Sequence, residues 1–384
     1  MHISATRLLL TSMALVLVAA CSSSDKKDDK PTPLDKKFVQ QVQVKRVWHT
    51  SLGGELPKLR LGLAPAVDGS RIYLASGKGT VEALDLNTGH QVWSRKLGTM
   101  IGGGPGAGGG LVVVGTSGGQ AIALSAIDGK VLWRVPLGGE VLAAPAIGGS
   151  VVVVHTVDGK LFGLSAADGE QLWVSDQQVP RLSLRGTSPP LINADAVYTG
   201  FDNGRLVAVT VAGGKALWDV AVGQARGSSE LQRLIDVDSP AVIDGDDIFA
   251  VSYQGRVVRL SRDSGSVVWT RDISSYRGLA IDATSVYVST ADGEVVKFDR
   301  NNGTEQWRIK TLLRRMLTGP LVYRGRIVVG DAEGYVHWIS IADGKLLARE
   351  KVGKRISDTP VAAGDKVLIF TDTGDLTAFT TPPG

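Results

Sequence analysis

The side chains that most often do chemistry are scarce in this chain and stand apart from one another. It has a single cysteine, Cys21, and five histidines: His2, His49, His90, His155 and His337. Zinc and related centres need two or more ligands at short fixed spacings, and neither an HExxH run nor a Cys-His pairing occurs. His155 and His337 lie in the apolar runs VVVVHTVDG and GYVHWIS and read as packing residues. GPGAGG, from Gly104 to Gly109, formally satisfies GxGxxG. A dinucleotide site needs that loop between a strand and a helix, and here the next residues are the strand-like LVVVG. IGGGPGAGGG instead reads as a connection between structural units with close backbone approach. Asp236 and Asp238 admit three readings: interface charges, a loop-capping pair, or weak Ca²⁺ ligands with Asp244, Asp246 and Asp247, although the spacing matches no complete calcium loop. With no nucleophile elbow or P-loop either, the expectation is no catalytic residue, no metal and no cofactor.

Charge excludes another class of function. Forty-two basic and 38 acidic residues give a formal net charge of +4, but they are interspersed, and no basic block with interleaved aromatics marks a nucleic-acid surface. The N-terminus is more informative. His2 and Arg7 precede an apolar run from Leu8 to Val18, long enough for a signal-peptide core and too short to span a bilayer. It ends in VAAC, which resembles a bacterial lipobox; residues 1–20 would be removed and Cys21 lipidated. Ser22 rather than Asp follows, which for such lipoproteins implies the outer membrane, on its periplasmic face. Residues 21–37, with SSSDKKDDKPTPLDKK after the cysteine, have too few apolar side chains to offset ordering entropy and read as a flexible tether. Its reach would be roughly 20 Å.

Residues 38–384 are repetitive. A turn followed by tryptophan recurs as LNTGHQVW, AIDGKVLW, AADGEQLW, VAGGKALW, RDSGSVVW and RNNGTEQW, ending at Trp93, Trp133, Trp173, Trp218, Trp269 and Trp307. IADGKLLA puts Ala348 at the seventh such position. The spacings are 40, 40, 45, 51, 38 and 41 residues, the period of a four-stranded propeller blade. A second turn lies upstream in each block: GKGT, SGGQ, VDGK, DNGR, YQGR, ADGE, AEGY and DTGD. The fold expected is therefore all-β, an eight-bladed propeller of four-stranded antiparallel blades in which the tryptophans dock on neighbouring blades. Trp338 reads as filling the core position that Leu124 holds in another blade.

The last block stops at LTAFTTPPG without a fourth strand, whereas KRVWHTSLGG, with Trp48, has the pattern of an outer strand without inner ones. Pairing the Trp48 strand with that of Phe379 closes the ring. The two longest spacings follow Trp173 and Trp218 and add SDQQVPRLSLRGTSPP and AVGQARGSSELQRLIDVDSP. Connections from one blade's outer strand to the next inner strand share a face, so these two sit side by side. KTLLRRMLTGP, with Leu312, Leu313, Arg314 and Arg315, lies on the same face. Loops on a rigid scaffold commonly carry function. Leu182, Leu184 and Arg185 read equally as an interface anchor or as pins for a long loop.

The tryptophan motif resembles that of the propellers that bind pyrroloquinoline quinone. Combined with the lipobox, eight blades, LSLRG and DVD, the mature chain is similar to the BamB family, the lipoproteins of the outer-membrane β-barrel assembly machinery. That resemblance implies docking of Leu182, Leu184, Arg185, Asp236 and Asp238 on the periplasmic POTRA region of BamA, and a noncatalytic role in folding and inserting outer-membrane proteins, with unfolded clients as a further partner. Quinoprotein dehydrogenases of the same superfamily use an adjacent cysteine pair, and this chain has no such pair. A periplasmic propeller binding a quinone or small ligand in its channel is the alternative.

Overall fold

The computed structural model describes residues 30–52, 63–180, 187–223 and 236–383. Cys21, Leu182, Leu184 and Arg185 lie outside the described residues. Those described form eight four-stranded antiparallel sheets and no helix. Numbered along the chain, blades 1 to 7 run Ala66–Lys96, Ile101–Pro136, Ala146–Asp176, Leu191–Ala221, Val242–Asp272, Leu279–Ile309 and Leu321–Lys351, and in each the spatial order of strands is the chain order. Blade 8 takes three strands from Val361–Thr380 and its outer strand from Lys45–Ser51. Trp48 stands opposite Ala378 and Arg46 opposite Phe379. The chain ends thus close an eight-bladed propeller, as the missing fourth strand required.

The blades pack face to face, so both faces of a middle strand are covered. In blade 2, Ala121, Ile122, Ala123 and Leu124 are all fully buried. The core is a ring of clusters between blades; one joins Tyr73, Ala83 and Trp93 of blade 1 to Val112, Ile122 and Leu124 of blade 2.

The repeated tryptophan closes seven of these eight seams. Trp93 donates its indole N–H to Ala126 O at 3.0 Å, and a Cβ added at Gly129 would lie 2.5 Å from its ring. The same pair of contacts joins Trp133 to Ala166 and Gly169, and Trp173 to Val211 and Gly214. Trp218, Trp269, Trp307 and Trp48 repeat it on the next blade in turn. The acceptor and the glycine belong to the hairpin between the third and fourth strands of the neighbouring blade. That hairpin needs positive φ, +68° at Gly129, and the flat indole needs the space where a side chain would be. Burying one indole contributes up to roughly 4 kcal/mol, an upper bound.

Ala348 has a structural reason to break the pattern. Blade 7 faces blade 8, whose fourth strand comes from the other end of the chain, so no third-to-fourth hairpin is there to receive an indole. The bulk moves one strand inward instead. Trp338 pairs directly with Ala348 and meets Phe379 edge-on at 5.6 Å. In the other blades the small or polar partner is on the third strand: Ala83 opposite Trp93, Ala123 opposite Trp133 and Gly163 opposite Trp173. Trp338 is therefore equivalent to Ala123, not to Leu124; the sequence reading was displaced by one residue, which on a strand reverses the face.

IGGGPGAGGG also differs from expectation. Ile101–Gly108 is the inner strand of blade 2, not a connection. The close approach is real: Cβ atoms at Gly103 and Gly106 would lie 2.3 Å from Ala143 O and 1.9 Å from Pro145 O. Residues 30–37, read as part of the tether, lie along blade 7. Thr32 N–H donates to Leu313 O at 3.0 Å, Arg349 donates to Asp35 O at 2.9 Å, and Leu34 packs on the cluster between blades 6 and 7.

Two substitutions separate docking from turn geometry. Gly129→Ala and Gly149→Ala both place alanine at positive φ, costing about 1 kcal/mol each, but Gly149 has nothing within 4 Å of the added Cβ. Gly129→Ala is expected to lower the chemical denaturation midpoint distinctly further. Ala348→Trp, which restores the repeat motif, is expected to destabilise by ~1–3 kcal/mol through overpacking against Trp338, and Trp338→Ala in the same chain to recover part of that loss.

Candidate docking face

The connections that leave each outer strand return across the turn between the second and third strands, so they share one face of the disc. Blade 4 is where the two long ones meet. Its turn, Phe201 to Gly204, is contacted from one side by the first connection, through Asn203 Nδ2 to Gln178 O at 2.9 Å. From the other side Gly223 N–H of the second connection donates to Gly204 O at 3.1 Å. The far ends of the connections also meet: Ser188 Oγ donates to Ser239 O at 3.2 Å. The shared face inferred from spacing is thus a joined structure built around one turn.

His155 holds this junction. Its Nδ1 lies 2.9 Å from Ser188 O, and its ring meets Phe201 edge-on at 4.7 Å. Burial pushes its pKa down to about 4, so it is a neutral imidazole whose N–H donates to the carbonyl. It is the packing residue expected, with an anchoring role that a lone histidine in a valine run does not reveal.

Asp236 and Asp238 come together with Asp202 of the blade 4 turn; their carboxylate oxygens lie within 4.8 Å of one another. Asp236 is only 2% exposed, so it underlies the surface rather than forming part of it, while Asp238 is half-buried. Both oxygens of Asp236 lack a hydrogen-bond partner among the described residues. Burial first, then Asp238 and Asp202, drives its pKa far above the carboxylate range. Asp244, Asp246 and Asp247, grouped with them in the calcium reading, belong elsewhere. They form the hairpin between the first two strands of blade 5, on the opposite face, and pair with Arg300, Arg262 and Arg259. Sequence proximity misled there; Asp202, more than thirty positions away, was the missed member.

The third connection differs from expectation as well. Leu312 and Arg315 are buried, not offered to a partner. Arg315 donates to Asp331 at 2.7 Å, to Glu333 at 2.6 Å and to Thr32 O at 2.9 Å. His337 joins from the other side, with Nε2 2.9 Å from the same Asp331 oxygen. Burial opposes ionisation of Asp331, but the hydrogen bond and charge of His337, with those of Tyr335 N–H and Arg315, hold it below its usual range. His337 is accordingly part of a buried polar network as well as of the packing.

A ring of eight four-stranded blades, seven of them locked to the next by an indole on a hairpin glycine, with elaborated connections on one face, defines a PQQ-like propeller. Comparison with known proteins specifies the kind. The family model described as outer membrane protein assembly factor BamB matches residues 39–98, 77–309 and 291–384, and the chain belongs to that family. It is 45% identical to the outer membrane protein assembly factor BamB of Pseudomonas aeruginosa, over 97% of both chains. Among solved structures it is similar to BamB from Moraxella catarrhalis, with a TM-score of 0.82 and 29% identity, covering 88% of this chain and 100% of that one. A europium-containing methanol dehydrogenase shares the fold alone, at TM-score 0.69 and 15% identity over 88% of this chain and 93% of that one. The quinone-binding alternative is not favoured.

The buried acid has a pH signature. Asp236 keeps its proton in the folded chain above the unfolded value of about 4, so from that pH upward the unfolded state releases a proton that the folded state retains, and stability falls as pH rises. With chelator present, Asp236→Asn is expected to melt progressively higher than the parent as pH is raised from 4 towards 8; a constant difference would contradict the assignment.

Proposed function

We propose that this chain is a noncatalytic scaffold of the outer-membrane β-barrel assembly machinery, lipid-anchored through Cys21 on the periplasmic side of the outer membrane, which docks on the POTRA region of BamA. The observation that carries this reading is the junction at blade 4. Two long connections of the ring, one of them its longest, converge on one turn and are joined to each other through Ser188 and Ser239. In this reading Leu182 and Leu184 supply apolar contact and Arg185 a planar charged donor. Asp238 completes the charge pattern, with Asp236 beneath it as support.

The relatives' names as assembly factors support a scaffold rather than a catalyst. The sequence agrees, because a lone Cys21 cannot supply the adjacent cysteine pair of the quinoprotein dehydrogenases. By holding BamA the chain would assist folding and insertion of outer-membrane β-barrel proteins; direct contact with unfolded clients is secondary.

The test is binding of the mature chain, without the lipidated cysteine, to the POTRA region of BamA from the same bacterium. Arg185→Glu and Asp238→Lys are expected to weaken binding by about tenfold or more each, with circular dichroism unchanged. Asp236→Lys is unsuitable because it buries a cation. Undiminished binding by both variants would place the interface elsewhere on the disc, and no binding by the parent would remove the scaffold reading.

A further inference from the structure

The position of Asp236 recurs around the ring, and one of its equivalents shows how a buried charge there is resolved. In several blades an N–H in the turn between the second and third strands donates a hydrogen bond to a carbonyl of the preceding connection. The pairs are Ser117 with Met100, Val157 with Glu140, Tyr253 with Asp236, Ala291 with Ser274, Ala332 with Arg315, and Asp372 with Arg355. Asp236 and Arg315 are therefore equivalent, and both are buried, at 2% exposure each. Arg315 is neutralised by Asp331 and Glu333. Asp236 faces further negative charge, from Asp202 and Asp238, and both its oxygens lack a hydrogen-bond partner among the described residues. A carboxylate so placed needs a proton or a cation.

We propose that Asp202, Asp236 and Asp238 bind a hard divalent cation, Ca²⁺ by preference, between the turn of blade 4 and the connection into blade 5. Three anionic oxygen donors without nitrogen or sulfur select Ca²⁺, Mg²⁺ or Mn²⁺ over softer metals. Ca²⁺ holds oxygens at about 2.3–2.6 Å in irregular shells, so oxygens on opposite sides of one ion stand about 5 Å apart, and the cluster's oxygens, all within 4.8 Å of one another, fit inside that span. Mg²⁺ demands a tighter octahedron of about 2.0–2.1 Å and dehydrates reluctantly. The ion replaces the proton on Asp236. It also ties blade 4 to the second long connection, adding a cross-link beside the Ser188–Ser239 hydrogen bond at the base of the docking face. The inference does not depend on which partner that face binds.

The test uses the mature lipidated protein in detergent, stripped with EDTA, then titrated calorimetrically with CaCl₂ and melted with and without millimolar CaCl₂. One saturable site and a raised melting temperature are expected, with Ca²⁺ bound about tenfold or more tightly than Mg²⁺. Asp236→Asn and Asp202→Asn, shown to be folded by circular dichroism, should lose both the heat and the shift. Asp246→Asn, whose side chain is 92% exposed on the opposite face, should keep them. No heat and no shift in the parent with Ca²⁺, Mg²⁺ or Mn²⁺ would overturn the proposal, as would a Ca²⁺ shift retained in both cluster variants. A Mg²⁺ preference would overturn the assignment of Ca²⁺.

Discussion

The structure depends on one repeated contact, an indole laid over a glycine in the next blade's hairpin with its N–H on a carbonyl three residues before that glycine. A blade by itself has two apolar faces and an open outer edge, and it can be stable only between two others. The indole converts that general need for burial into a specific register, because one ring must satisfy a hydrogen bond and a space-filling condition at once. The outer strand carries a bulge beside each tryptophan, as at Val92 between the pairs Leu84–Gln91 and Ala83–Trp93. The bulge turns one apolar side chain outward, leaving Val92, Leu132, Leu172, Leu217 and Val268 roughly half exposed, and it interrupts the flat edge that would otherwise template aggregation.

Ring closure follows from the same constraint. Joining the two chain ends in blade 8 removes the hairpin that would receive a tryptophan, and the chain compensates at Trp338 and Phe379. The segment before the closing strand then runs along blade 7 and supplies Thr32 O to the buried Arg315. The expected path to the lipid anchor is thus fixed to the disc close to the face that carries the connections.

That face shows two solutions to one electrostatic problem. At two of the equivalent crossing positions, Asp236 and Arg315, the side chain is buried, and a charge there must be matched. At Arg315 the match comes from Asp331 and Glu333, with His337 sharing the Asp331 carboxylate. At Asp236 the neighbours Asp202 and Asp238 are themselves acidic, so the buried carboxyl is held protonated or takes a cation.

Much of this was legible in the sequence, for physical reasons. Period, paired turns and tryptophan spacing determined the number of blades, and a third strand at one end with an orphan outer strand at the other determined the clasp, since an unpaired edge must find a partner. The long spacings after Trp173 and Trp218 placed two connections side by side on one face, because strand connectivity fixes which side a connection leaves from. What the sequence could not determine were relations across blades. Asp202 and Asp236 belong to different repeats, His155 reaches Ser188 from the neighbouring blade, and Arg315 is turned inward by partners from its own blade and from Thr32. The size exchange at Trp338 and Ala348, though visible as a missing tryptophan, made sense only once the absent hairpin of blade 8 was in place. Local patterns record what each strand must bury, whereas the identity of the buried neighbour is decided only when the ring closes.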